Sequence, residues 1–188
     1  MICAPIRVPA QVSERELVLL NFYRASELHG GLILGQVARR SRDPYLATEL
    51  LRHSAEEVVH ARYWTETILE VGGRICPVRE TYQTRYAAAV GHPVGVLHVL
   101  ALTQVFERRV FRHFTEHLRR PGTHPAVRAT LRQMLEEEKG HLSWVRHWLR
   151  QQSVERGQEV DDIMRRYSLV DARIYAEVTR ELGWKEAA

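Results

Sequence analysis

Apolar residues recur along this chain at intervals of three and four, in runs long enough for long helices. The first run begins behind Ser13-Glu14-Arg15-Glu16, which has the form of a capping box, and continues to about Arg40. It puts Leu20, Tyr23, Glu27, Gly31, Leu34 and Ala38 on one stripe. Asp43-Pro44 offers a cap and a first-turn proline to a second helix, which stops at Gly72-Gly73. Its stripe is Leu46, Leu50, His53, Glu57, His60, Trp64 and Ile68. Residues 72–92 read as a connection with a short helical piece around "RYAAAV". His92-Pro93 then opens a third long helix carrying Leu97, Leu100, Gln104, Glu107, Phe111, Phe114 and Leu118. "RPGTHP" breaks the chain, and a fourth helix runs from Pro125 to about Gln152 with Val127, Leu131, Met134, Glu138, His141, Val145 and Trp148. A fifth segment, 158–182, repeats Val160, Met164, Tyr167, Ile174, Val178 and Leu182 before Gly183. The pattern predicts an all-α chain: an antiparallel four-helix bundle over 1–154, and an extension over 155–188 that packs on the bundle or on a partner chain. A homodimer is favoured, because four helices already complete a core.

The two halves repeat in their spacing. Pro44 precedes Glu57 by 13 residues, as Pro125 precedes Glu138. Glu27 precedes Glu57 by 30 and Glu107 precedes Glu138 by 31, which marks a duplicated helical hairpin.

Six polar residues break the apolar stripes, and hairpin geometry brings them to one level. A helix advances about 1.5 Å per residue, so Glu27 and Glu57 both lie roughly 20 Å from the turn between them, on antiparallel neighbours. Glu107 and Glu138 do the same about the second turn. His60 and His141 each follow a stripe glutamate by three residues and share its face. Four carboxylates and two imidazoles in one core layer need compensation, since an isolated buried carboxylate is very costly. Two divalent cations would offset four negative charges. Oxygen and imidazole donors suit iron or manganese, whereas closed zinc sites more often use cysteine. Glu27, Glu57, His60, Glu107, Glu138 and His141 are therefore the candidate metal ligands.

Composition narrows the setting. A length of 188 residues and 45% hydrophobic content fit one globular domain with an appendage. No run of about 18 apolar residues is present, so no membrane span is expected. The opening "MICAPIRVPAQVSERE" lacks the apolar region of a signal peptide, and Cys3 and Cys76 form no CxxC pair, so free thiols in a cytoplasmic protein are expected. The formal charge of +4 rests on arginine, with pairs at 39–40, 108–109, 119–120 and 165–166. These are scattered among acids and read first as a solvated surface, with an RNA partner as the lesser alternative.

On these residues the chain resembles the ferritin-like di-iron carboxylate superfamily over about 14–152. That superfamily takes one Glu from each of two helices and Glu-x-x-His from each of the other two. "EEVVHARYWTETILEVGG" is similar to the second helix of bacterioferritins and rubrerythrins, and "EEEKGHLSWV" to their fourth. The resemblance implies a long crossover between the second and third bundle helices, the six ligands above, and Glu57 or Glu138 as the bridging carboxylate. It implies two iron ions, or manganese, with dioxygen as co-substrate. Departures narrow the kinship. Val110 stands where rubrerythrins carry a further Glu, no rubredoxin CxxC is present, and Val58 replaces the haem-binding Met of bacterioferritins. The basic charge and long fifth segment also differ from storage cages. The pattern is shared with oxygen-activating members: aldehyde-deformylating oxygenases, demethoxyubiquinone hydroxylases and a tRNA hydroxylase. The expected function is a non-haem di-iron oxidase or oxygenase acting on a small organic substrate, with electrons from an external donor. An iron-oxidising storage or oxidative-stress protein and a metal-stabilised interaction module are the alternatives.

Neighbouring residues carry two readings each. His53 precedes Glu57 by four and is expected to support the layer from the core more than to ligate. Trp64 follows His60 by four, at the place of the radical tyrosine in the small subunit of ribonucleotide reductase; core packing is the simpler reading. Tyr23 and Gln104 can donate to a ligand carboxylate or line a pocket. Glu56 and Glu137 each precede a ligand Glu, where related enzymes use an acid to hold a ligand histidine; an exposed charge is the alternative. Arg24 can neutralise a ligand or an acidic substrate, or form a surface salt bridge.

Overall fold

A computed structural model describes residues 12–184, and all regular structure among them is helical: α1 (Glu14–Ala38), α2 (Pro44–Glu70), α3 (Tyr82–Val90), α4 (Val96–Arg119) and α5 (Pro125–Glu181). No helix is long and apolar enough to cross a membrane. Cys3 lies outside the described residues, and Cys76 is free and exposed.

Local signals start most helices where the sequence places them. Ser13 Oγ accepts from the Glu16 amide, Asp43 Oδ1 from Leu46, and Thr81 with Thr84 closes a full capping box on α3. The expected box on α1 is only half formed, because the Glu16 carboxylate accepts instead from buried His117 at 3.2 Å. α4 opens at Val96, not at Pro93. Gly95 precedes it with φ +88°, a conformation glycine reaches freely and the helix cannot contain.

α1 and α2 form one antiparallel pair, and α4 with the first part of α5 the other. At Gly31 the first pair is so close that an added Cβ would lie 2.9 Å from the Ser54 carbonyl and 3.1 Å from the Glu57 Cβ. Side chains thread the connection between α2 and α4 along α1. Asn21 binds Arg74 O and the Cys76 amide near the start of α1, Gln83 donates to Ser26 O, and Leu97 reaches the apolar cluster holding Ala38, Leu46 and Leu50.

The fifth segment is continuous with the fourth helix apart from Arg156, at φ −131° and ψ 34°. Past that residue the chain retraces its own levels. Val127, Leu131 and Met134 share a cluster with Phe114, Trp144 and Val145 with Leu97, then Val160 and Tyr167 with Leu97 again, and Ile174 and Val178 with Phe114. The stripe therefore buries on the chain's own α4 and gives no reason for a second copy. It also gives α4 a second buried face that one-stripe reasoning misses: Arg109, Val110, His113 and His117 are buried, whereas Phe111 and Leu118 are half-buried. The apolar core consists of two clusters, one toward each end of the bundle. Acids and histidines lie between them.

Candidate metal centre

All six predicted ligands are buried, Glu27, Glu57, Glu107 and Glu138 to within 5% exposure and both histidines completely. Potential donor atoms converge in two overlapping sets, His53–Glu57–Glu107–His141 and Glu57–His60–Glu138–His141, each within 4.8 Å. Glu57 and His141 belong to both sets. Glu27 is in neither set but abuts Glu57 closely enough to share a hydrogen bond when protonated.

The duplicated hairpins brace each other's histidines. His60 Nε2 faces Glu137 at 3.0 Å while Nδ1 faces Glu138 at 3.4 Å. His141 Nε2 faces Glu56 at 2.8 Å while Nδ1 faces Glu57 at 3.2 Å. Each histidine thus spends its outer N–H on a half-buried glutamate of the opposite hairpin. The inner Nδ1 is left to the layer, the orientation expected of metal-bound imidazole. Glu56 and Glu137 therefore hold the ring pair, as expected, and are more than exposed charges.

His53 sits deeper in the layer than its sequence position suggests. Its Nε2 contacts Glu107 at 2.9 Å and Glu57 at 3.0 Å, and its ring stacks on His141 with centroids 3.7 Å apart. Trp144 Nε1 lies 3.1 Å from His53 Nδ1. An indole N–H only donates, so in the neutral ring Nδ1 accepts and the proton sits on Nε2; the imidazolium form gives up that bond. That tautomer points a donor, not a lone pair, at Glu57 and Glu107. His53 faces both carboxylates from the core and also supplies a donor atom to one of the two sets. Trp144 was not singled out from the sequence, although it follows His141 by three residues.

Protons do the balancing in a layer this dry. Burial works to raise Glu57, yet hydrogen bonds from His141 and His53 hold it well below the usual carboxylate range. Burial likewise opposes His141 and His60, whose bonds nevertheless lower Glu138. Burial and the neighbouring Glu57 push Glu27 well up, and burial raises Glu107. Burial disfavours the imidazolium forms, but the carboxylates outweigh it: Glu107 and Glu57 lift His53 to about 9, Glu138 raises His60, and Glu138 with Glu57 lifts His141 to about 12. Two buried atoms in the layer, His60 Nδ1 and Glu107 Oε2, find no hydrogen-bond partner. A donor set of carboxylate oxygens and imidazole nitrogens with unspent acceptors fits a pair of hard-to-borderline divalent cations.

The remaining candidates divide. Gln104 is 1% exposed, and neither amide atom has a partner, so it makes no bond to a ligand carboxylate. Tyr23 also makes no bond to the ligands; its hydroxyl joins His113 Nε2 at 2.5 Å and His117 Nδ1 at 3.2 Å. Arg24 donates to the Cys76 carbonyl and anchors the connection instead of neutralising the layer. Trp64 is fully buried against Tyr23 and Phe114 as core. Sequence reasoning missed His113 and His117, whose partners lie on distant helices.

An apolar cavity of about 620 Å³ lies against this layer, with Glu57 and Glu107 in its wall. Its sides are Ile33, Leu34 and Val37 of α1 and Val99, Leu102 and Phe106 of α4, closed by α3. No family model, curated protein or solved structure matches the chain, so geometry carries the functional argument.

Proposed function

We propose that the protein is a ferritin-like, non-haem di-iron oxidase or oxygenase that oxidises a small organic molecule. The observation that carries this reading is the cavity. Its volume of about 620 Å³ lies within the usual range for small-molecule sites, and it meets the buried layer at two carboxylates. An iron store needs a path for ions and has no use for an apolar chamber at its metal layer. The course of residues 71–95 along α1 supports a long-crossover bundle.

Glu27, Glu57, His60, Glu107, Glu138 and His141 would hold two iron ions, and such a pair supplies reductive activation of dioxygen when bound. The chain's own groups do the rest. Glu56 and Glu137 orient the histidines, while His53, fixed by Trp144, orients Glu57 and Glu107. The two apolar clusters flank the layer, and the cavity reaches it at Glu57 and Glu107. Cations bound there would take the place of the protons that the imidazoles otherwise hold, with Glu56 and Glu137 as outer acceptors.

The test is reconstitution with ferrous iron under argon, followed by dioxygen and a chemical reductant. Two irons per chain and reductant-dependent dioxygen uptake are expected, without growth of a ferric mineral. Many irons per chain in a large particle would overturn the reading in favour of storage, and failure to retain iron would overturn both.

A further inference from the structure

The cavity is lengthwise, and its ends differ. On α1 it runs from Gly30, beside Glu57, to Arg40, ten residues that span roughly 15 Å. At the inner end a Cβ on Gly30 would lie 3.6 Å from Glu57 Oε2 and 3.4 Å from Gln83 Nε2, so glycine keeps that floor open. The middle is walled by aliphatic side chains and Phe106. At the outer end stand Gln36, Arg40 and His92, all exposed.

The charge at the two ends is one-sided. The only carboxylates lining the cavity are Glu57 and Glu107, both in the inner layer. Arg40 makes no ion pair among the described residues, a state it shares with Arg39 and Arg42, but Arg40 is the one arginine in the cavity's lining. α4 begins near this end, and its N-cap, Gly95, has no side chain to satisfy the first amides. A helix start adds positive potential to that of the guanidinium.

The geometry points to an elongated apolar molecule with an anionic group at one end, a carboxylate amphiphile, as the occupant. Its head would sit at Arg40 and its tail would reach the Glu57–Glu107 layer. This rests on the proposed function for its chemistry but not for its binding. Oxidation would then fall on the tail, far from the carboxylate. A short polar substrate would leave the aliphatic middle wet, and a neutral one would leave Arg40 unused.

Calorimetric titration with dodecanoate, octanoate and dodecanol tests it, on iron-loaded and iron-free protein, with iron content measured on the same samples. Dodecanoate should bind at one per chain, and octanoate should bind roughly a hundredfold more weakly because it buries four fewer methylenes. Val37→Trp should fill the middle and weaken dodecanoate by about tenfold or more. Arg40→Glu should weaken dodecanoate by roughly fivefold and leave dodecanol unchanged, the size expected of an exposed ion pair. No dodecanoate binding to protein that retains two irons would sink this inference and leave the metal centre standing. Equal loss of both ligands in Arg40→Glu would overturn the placement of the head. Binding as described in a protein that retains no iron would support the cavity's occupant and sink the oxygenase.

Discussion

Two of the buried polar clusters hold carboxyl groups deep in the fold, and only one of these has the makings of a site. Between α4 and the second half of α5, Asp171 accepts from Arg109 and from the Tyr86 hydroxyl. The Arg109 guanidinium also lies over the rings of Tyr82 and Tyr175 at 5.0 and 4.9 Å. One guanidinium meets one carboxyl group, which burial pushes up to about 8, and aromatic faces cover the rest. In the layer between the bundle helices four carboxylates meet three imidazoles, and donor atoms of two sets crowd within 4.8 Å. That layer is neutral only if several members carry protons. Burial of charge therefore does not distinguish function from architecture. The useful distinction is whether the chain supplies the compensation itself.

Mutation should separate the clusters completely. Glu57→Ala and His141→Ala remove members common to both donor sets, so iron should fall from about two equivalents to well below one by elemental analysis. Asp171→Ala should leave iron at two equivalents. It strands the buried Arg109, so it should cost about 3–5 kcal/mol of stability in denaturant titration. Replacing Arg109 and Asp171 together by leucine should restore most of that. If Asp171→Ala empties the centre with the fold intact, the clusters are not independent.

The difference also explains what the sequence could and could not disclose. The six buried residues of the layer were legible because helix rise and hairpin length are periodic: a Glu 13 residues after each helix-opening proline, with a His three later, fixes level and face. Glu56 and Glu137 follow from the same register. Arg109 and His113 were not legible as buried, because their partners Asp171 and Tyr175 lie on a segment 62 residues away, and His117 pairs with Tyr23 and Glu16 still farther off in sequence. Nothing in the local pattern says which face of α4 that segment covers. Tyr23 shows the same limit. Its spacing to Glu27 suggests a ligand contact, but tertiary packing turns it toward two histidines.

Proton content should sharpen the comparison next. In metal-free protein His53 sits at about 9, above the roughly 6.5 of an unfolded histidine. Its contribution is complete below the unfolded value and is lost as pH rises through the folded one. His60, Glu27 and Glu107 are raised too and act in the same direction. Glu57 and Glu138 are lowered, so their contribution is lost only on acidification. Metal-free protein should therefore lose stability between about pH 6.5 and 9, and iron-loaded protein should lose less, since bound His60 and His141 would no longer titrate there and two cations would offset the carboxylate charge that lifts His53. Thermal melts across that range check it, and identical slopes would mean that the layer binds no cation. Chelation at neutral pH should lower the midpoint as well.

The smallest effect concerns Trp144, which links His53 of the layer to the apolar cluster beside it. Trp144→Phe keeps an aromatic ring against His53 but deletes the N–H that holds Nδ1 as an acceptor. His53 is then free to carry its proton on either nitrogen. Loss of the hydrogen bond should cost on the order of 1 kcal/mol in stability. Stoichiometry should stay at two irons, because the six ligands are untouched, while affinity should fall by about tenfold as Glu57 and Glu107 lose a fixed donor. His53→Asn, which can donate but cannot take imidazole's place as a ligand, should behave the same way. If either variant instead drops iron to one equivalent, His53 is a ligand, and the tautomer argued from the Trp144 contact is not the one that metal selects.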